Sequence, residues 1–346
     1  MQYTQLSRRS AGGKIDWEKQ YLTFIPVEDA VFTWAQRAVS GHLEYSVNGG
    51  QTWVMIANGE STPTITACSK VMWRGDLRPN ISFYTAGIGT FSANANYHAY
   101  GNTMSLLFYD NYYGRQLAGF LRAFTALFLN DSFLVTAPEL PATTLGEVCY
   151  YQMFKGCTAL TTAPELPALT LAQNCYSSMF YGCTSLTTAP TLPATILKQA
   201  CYQEMFQGCT GLTSAPALPA TTLANYCYQS MFSGCVGLIT APALPATTLV
   251  GYCYQNMFKG CTGLTTAPEL PATTLATSCY SSMFQGCTSL NYIKCLATDI
   301  SATKCLTYWV SGVASTGTFV KDATMTGWTT GTSGIPSGWT VVDDNS

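Results

Sequence analysis

Charge is what this chain has least of. Acidic and basic residues make up 10 % of its 346 positions, against roughly 25 % in ordinary soluble proteins, and they nearly cancel at a net −2. With no run of Lys or Arg, nothing electrostatic draws it to nucleic acid or to an anionic membrane, and neither is expected as a partner. No run of about 18 apolar residues is present to cross a bilayer. The most apolar stretch, Leu117 to Val135, is broken by Arg122, Asn130 and Asp131. The first ten residues lack the apolar segment of an export signal, as expected if lysis releases the protein and equally if a longer chain preceded Met1. The two histidines, His42 and His98, lie outside the repetitive part. Missing too are a phosphate-binding loop, a nucleophile elbow and any Cys–His pairing within a repeat. The expectation is a protein without catalytic machinery, cofactor or metal. Its polar surface must be built from hydroxyls, which suits contacts with sugars or proteins.

What is there is repetition. One cysteine falls at 149, 175, 201, 227, 253, 279 and 305, in steps of 26, and a second follows eight residues later at 157, 183, 209, 235, 261 and 287. The phrase reads C-Y-x-x-M-F-x-G-C-T-x-L-T-x-A-P-x-L-P-A-T-T-L-x-x-x. A fixed period in the range of about 20–50 residues signals stacked units rather than one globular core.

Each unit has two unlike halves. Leu171, Cys175, Met179 and Cys183 lie four apart with Tyr176 and Phe180 beside them, which reads as the apolar stripe of a short helix. Thr170 is placed to cap its start and Gly182 to end it in a left-handed residue. The other half, Leu186 to Pro193, is β-branched and interrupted by Pro190 and Pro193, so it reads as a short strand turning at the second proline. A strand spacing of about 4.8 Å then sets identical side chains above one another, with both cysteine columns inside. The expected fold class is an α/β repeat solenoid of leucine-rich-repeat type with 26-residue units, right-handed and parallel.

The phrase M-F-x-G-C-T-x-L followed by a short proline-rich strand resembles the BspA-type (Treponema-type) leucine-rich repeats, over roughly residues 123–313. Such repeats occur in surface proteins of Bacteroidetes and other host-associated bacteria and in phages of gut bacteria. The resemblance implies adhesion or recognition at an extracellular or virion surface, with a cell-surface glycan or protein as partner. Ala-Pro where the family often has isoleucine, and a longer unit, are departures.

The flanks differ. Tyr21–Pro26, Val31–Ala35, Leu43–Val47, Thr52–Ala57, Thr64–Trp73 and Ile81–Tyr84 read as short strands of an N-terminal β-sandwich over residues 1–95. Asn48-Gly49-Gly50 reads as a tight hairpin turn, and Ser46-x-Asn48-x-Gly50-x-Thr52-Trp53 resembles the Asp-box of sialidase-like propellers, which keeps a hydrolase as a third reading. Residues 96–148 form a lead-in with degenerate first coils: Ala123 to Phe128 stands 26 residues before the first cysteine phrase, and Asn102–Phe108 reads as one strand earlier still. The repeats proper run over 149–304. Residues 305–346 read as a β-rich cap, with Trp309, Trp328 and Trp339 as a plug or, alternatively, a carbohydrate platform.

Fifteen cysteines at a spacing of eight, without histidine, do not suit zinc. Reduced buried columns are expected, with Cys68 as a buried small hydrophobe and Cys295, in place of the variable residue of Ala-Pro-x-Leu-Pro, able to bridge Cys305 if oxidised. The candidate binding face is the strand half: Thr161, Thr187, Thr213 and Thr265, broken by Ile239, with Glu165 and Glu269 beside them. Variable positions in the other half (Tyr181, Gln207, Ser233, Lys259; Gln173, Gln199, Asn225, Gly251) are unconstrained or read by a partner. A repetitive threonine ladder suits a repetitive ligand such as a polysaccharide, or another copy of the chain. Other virion proteins are further partners, and a purely structural spacer is the alternative reading.

Overall fold

A computed structural model of the chain describes residues 16, 19–37, 39–79 and 87–344. The N-terminal part contains β1 (Leu22–Pro26), β2 (Phe32–Gln36), β3 (Val39–Ser40), β4 (Leu43–Ser46), β5 (Val54–Ile56), β6 (Val71–Gly75), β7 (Arg78–Pro79), β8 (Gly89–Ala93) and β9 (Tyr97–Tyr100). A helical turn, α1 (Ser105–Phe108), and β10 (Leu134–Thr136) follow. A six-stranded sheet runs β10-β9-β1-β6-β4-β5, with β2 paired to β8 and β3 to β7. The sheet is antiparallel except where β10 joins β9 in parallel. Residue 95 falls between β8 and β9, yet β9 pairs with β1 on one side and β10 on the other, so one sheet spans that point. Rings from both sheets meet at Phe91, which contacts Phe24 at 5.0 Å and Trp73 at 4.8 Å between centroids.

Several local expectations change. Thr64–Trp73 is not one strand: Ile65 makes a bridge to Ala30, Cys68 turns with φ 63°, and β6 begins only at Val71. That turn leaves Cys68 exposed rather than buried. The hairpin between β4 and β5 is longer than a tight turn, since Tyr45 pairs with Val54. Its loop is organised by Asn48 Oδ1, which accepts from the Thr52 N–H at 3.0 Å and the Ser46 hydroxyl at 2.9 Å. In the segment Asn102–Phe108 only Asn102 behaves as strand, bridging Tyr21 and Glu139, before the chain winds into α1. The strand expected at Ile81–Tyr84 lies outside the described residues.

Beyond β10 the sheet thins without ending. Parallel bridges link Thr136 to Thr162, Thr188, Ser214, Thr240, Thr266 and Tyr292 in turn, 26 residues apart. At Tyr292 the ladder widens into β11 (Tyr292–Cys295), β12 (Thr318–Asp322) and β13 (Thr340–Asp344), all parallel. In this ladder each coil thus contributes one bridged residue, the one before Ala-Pro, because the prolines that follow have no N–H to continue it. The period outlasts the cysteine phrase by one step: Tyr292 pairs with Thr318, again 26 on, whereas Thr318 pairs with Thr340, only 22 on.

The other half of each unit is not a helix. It is a ribbon of successive turns in which every fourth residue is left-handed: Asn174 (φ 53°), Ser178 (φ 53°) and Gly182 (φ 73°) in one coil, Val148, Gln152 and Gly156 in the coil before. The N–H groups of Tyr151, Met153, Lys155 and Cys157 donate three residues back, to the carbonyls of Val148, Tyr150, Gln152 and Phe154. Those of Val148, Tyr150, Gln152, Phe154 and Gly156 donate instead to Gln173, Cys175, Ser177, Met179 and Tyr181 in the next coil. Thickness explains the choice. Ladder bridges space coils at about 4.8 Å, whereas packed helices need about 8–10 Å between axes, so a straight stack has no room for a helix. Gly182 is left-handed as expected, but as one of three such residues rather than a helix end. Thr170, expected as a cap, is a bridge residue paired to Thr144.

The interior is a set of columns. Rings stack from Phe124 through Tyr150, Tyr176, Tyr202, Tyr228, Tyr254 and Tyr280 to Trp309, at 5.6–6.4 Å. A second column runs from Phe128 through Phe154, Phe180, Phe206, Phe232 and Phe258 to Phe284. Phe128 also meets Phe24 and Phe91, so the columns start in the aromatic core of the N-terminal sheet. At the far end Trp309 is fully buried and donates to the Gly334 carbonyl, Trp339 donates to that of Ala314, and Trp328 stacks on Trp309 at 5.9 Å. These tryptophans pack against the last ring columns and the segments that follow them; Trp309 and Trp339 are not displayed as a platform.

No cysteine is in a disulfide, and all but Cys68 are buried. Along the second column each thiol donates to a carbonyl one coil back, Cys157 to Phe128 at 3.0 Å and Cys183 to Phe154 at 3.1 Å. Cys295 bridges Leu270, 25 residues away, so it takes the place of the inward leucine rather than that of the variable residue. Burial in apolar surroundings holds these thiols un-ionised; Cys209 and Cys287 are both pushed up to about 12. A water-soluble thiol reagent at pH 8 should therefore titrate one group quickly, Cys68, and the other fourteen (fifteen less one) only on unfolding. Fast labelling of several thiols in the native protein would contradict closed columns.

Candidate recognition surface

Of the surfaces the coils create, the one at the threonines has the simplest origin. Leu186, Leu192 and Ala194 are buried, which turns the side chains before Ala-Pro outward. Thr161, Thr187, Thr213 and Thr265 are exposed, each one residue before a bridge residue, and so fall in one column down the stack. Backbone bonds within the column tie it: Thr161 N–H donates to Val135 at 3.1 Å, and Asn291 N–H to Thr265 at 3.0 Å. Ile239, 60 % exposed, stands among the hydroxyls. Glu165 and Glu269 are exposed four residues further along their coils. Their separation, 269 − 165 = 104, is four periods, so they do not act together. Glu269 is also engaged, its carboxylate 3.4 Å from Lys294 Nζ, which Asp344 holds at 2.8 Å.

A second hydroxyl column runs beside the first and was not singled out in the sequence. Thr144 bridges Thr170, Ile196 bridges Thr222, and Thr274 bridges Asp299. Thr195, Thr221, Thr247 and Thr273 are exposed next to them. The signal was present as Ala-Thr-Thr-Leu in most units, but it was absorbed into a helix start that does not exist. Each coil between Thr161 and Thr274 therefore shows one or two hydroxyls on either side of its proline segment, with Leu169, Ile196 and Ile239 as the apolar members. The threonines themselves are uncharged and offer donors and acceptors on a backbone held by its neighbours.

The junction with the N-terminal sheet holds a residue the sequence reading passed over. Asp131 occupies the column of Cys157 (131 + 26) in the first, cysteine-free coil. It is 3 % exposed, and its carboxylate accepts the Tyr97 hydroxyl at 2.8 Å and the Phe133 N–H at 3.0 Å. Nearby, His98 Nδ1 lies 2.6 Å from Thr136 Oγ1, joining β9 to β10. Desolvation dominates at Asp131 and raises its pKa from 3.8 to about 6, against the lowering effect of the Tyr97 and backbone bonds. It also lowers His98 below the ordinary imidazole value. The raised values of the repeat cysteines and of Tyr150, Tyr176, Tyr202, Tyr228, Tyr254 and Tyr280 belong to side chains closed off in the columns.

A family model described as BspA type leucine rich repeat region matches in 6 copies, over residues 142–265 and 173–305. The chain carries BspA-like leucine-rich repeats. No curated protein and no solved structure matches it. BspA-like repeats suggest a role in protein interaction or adhesion, which agrees with a rigid, hydroxyl-lined surface. No helix among the described residues is long and apolar enough to cross a membrane.

Asp131 generates a pH test. Its folded pKa lies above its ordinary value, so the stabilisation it gives by holding a proton is complete below about pH 4 and is lost as pH rises through about 6. Asp131→Asn removes the charge, keeps an acceptor for the Phe133 N–H and lets the amide donate to the Tyr97 hydroxyl oxygen. It should leave stability little changed at pH 4 and raise it at pH 7.5 by on the order of 3 kcal/mol at most. Thermal melts of both proteins at the two pH values check this, and an equal difference at both would refute it.

Proposed function

We propose that this protein is a non-enzymatic recognition protein, displayed on a cell or on a phage particle, whose BspA-like stack docks through its threonine columns on a repetitive cell-surface glycan or on a protein. In this reading residues 1–95 form a β-sandwich attachment unit, 149–304 a solenoid, and 305–346 its cap. Other virion proteins or further copies of the chain would engage the attachment unit.

One observation carries the proposal: exposed hydroxyls recur in register on both sides of the proline segments, on coils whose ladder residues bond directly to their neighbours. A rigid surface costs little further conformational entropy on binding, and a regular row of donors and acceptors matches a ligand with its own repeat. The same stiffness would serve a spacer, and the experiment separates the two. Thr187→Arg with Thr213→Arg places two bulky charges in the column at exposed sites where the fold tolerates them. Binding of the full chain to bacterial cells should fall at least about tenfold with an unchanged melting temperature. If cell binding survives both substitutions, the stack is a spacer and recognition lies elsewhere.

A further inference from the structure

The six-stranded sheet is continued on one side and open on the other. At β10 the coils extend it through Thr136 and Thr162, whereas β5 is the outer strand and, among the described residues, pairs only with β4. A free strand edge offers unpaired N–H and C=O groups to another strand, and proteins that stay single guard it with charge. The outer strand at the far end of the chain, β13, carries Asp343 and Asp344. Around β5 no charged residue occurs from Tyr45 to Gly59, and Val54 and Met55 are 49 % and 59 % exposed.

The cross-strand register shows what fits there. On the outward face Arg74 stands opposite Glu44, and Glu44 opposite Met55. The two charges close on each other, Arg74 Nε donating to the Glu44 carboxylate at 2.8 Å, so the row reaches the edge as an uncharged thioether. On the inward face Trp73, Tyr45 and Val54 form one row, with Leu43 and Ile56 in the next. Trp73, Leu43 and Ile56 are buried, but Val54, last in its row, is half exposed. Beside Met55 the surface dips into a hollow of about 340 Å³, lined also by His42, Ile56 and Asn58.

We propose that this edge joins two copies of the chain, β5 of one pairing antiparallel with β5 of the other about a two-fold axis at Met55. In that register Met55 faces Met55 of the second copy, and Val54 faces its Ile56. The outward rows meet thioether to thioether, and each flexible methionine can fill the hollow beside the other. The inward row runs on from Val54 to the Ile56 and Leu43 of the second copy, so one apolar face passes through both sheets. A second copy brings the same neutral edge in the same spacing, so no unpaired charge is buried at the join. A three-residue strand makes a small interface, and association is therefore reversible on dilution. The pairing rests on the reading in which copies of the chain engage the N-terminal unit and names the surface they use. It involves none of the threonine columns, so it and glycan recognition fail separately.

The test is sedimentation velocity of the full chain over a concentration series, in which a species of twice the chain's mass is expected to grow with concentration. Met55→Lys and Met55→Glu each set like charges face to face and should weaken association at least about tenfold. Mixed in equal amounts the two variants should associate again, because lysine then faces glutamate. Both substitutions fall on an exposed side chain, so each variant should melt at the wild-type temperature when dilute. Met55→Cys, made together with Cys68→Ser, should form a disulfide-linked dimer with diamide as the oxidant. Directly opposite residues of an antiparallel pair have Cα atoms about 4.5–5.5 Å apart, within disulfide reach. Thr187→Arg with Thr213→Arg should leave association as it was. A chain that sediments as a monomer throughout, a Lys–Glu mixture that stays apart, or a Met55→Cys variant that does not cross-link would each overturn the proposal.

Discussion

The structure depends on where alternate N–H groups of the turn ribbon point. One set closes turns within a coil, and the other reaches the carbonyls of the next coil. Every backbone group so used is satisfied without thickening the coil, which lets bridges on the proline side and turns on the other share one spacing. Left-handed residues are the cost. For a side chain such as Glu204 or Tyr226 that conformation is unfavourable by about 1–2 kcal/mol. The coil-to-coil hydrogen bonds and the ring columns offset it, and they do so only where a neighbour is present. A single coil would therefore not hold its shape, and stability is a property of adjacent pairs.

This arrangement accounts for the composition. Rings 5.5–6.1 Å apart in offset stacks need the same residue in each coil, so the cysteine, tyrosine, methionine and phenylalanine positions cannot drift one at a time. A buried charge repeated at every coil would meet its own copy in both neighbours, which leaves thiols, thioethers and rings for the interior and hydroxyls for the outside. The low charge is thus a consequence of stacking. Where charge does enter the interior region, at Asp131, it stands in the first coil with one neighbour of a different kind, Tyr97 from the sheet.

How much of this was legible follows from what a period can express. The 26-residue step, the buried columns and the outward threonines are consequences of stacking identical units, and the phrase states them directly. The ribbon was not legible, because pairs such as Cys149-Tyr150 and Met153-Phe154 recur every four residues, and both a helix and a four-residue turn ribbon present that pattern on one face. Only the spacing of about 4.8 Å imposed by bridges on the proline side decides between them. Cys295 went wrong for a related reason: one residue fewer in its segment moves it from the outward to the inward position, and counting by 26 hides such a slip.

The two ends show how such a stack begins and stops. An open coil exposes rings on one side and unpaired backbone groups on the other, which invites further copies. At the start, the six-stranded sheet supplies both complements at once: β9 bonds β10, and Phe24 and Phe91 close over Phe128. At the finish the solutions are separate. Trp309 ends both ring columns in one side chain, meeting Tyr280 at 6.4 Å and Phe284 at 6.2 Å, while β11, β12 and β13 carry the ladder past the last ribbon. The final strand is studded with acids, and Asp343 and Asp344 are held by Lys321 and Lys294. Charges on an edge oppose pairing with another strand, and the acids of β13 stand on the outer strand of this three-stranded ladder.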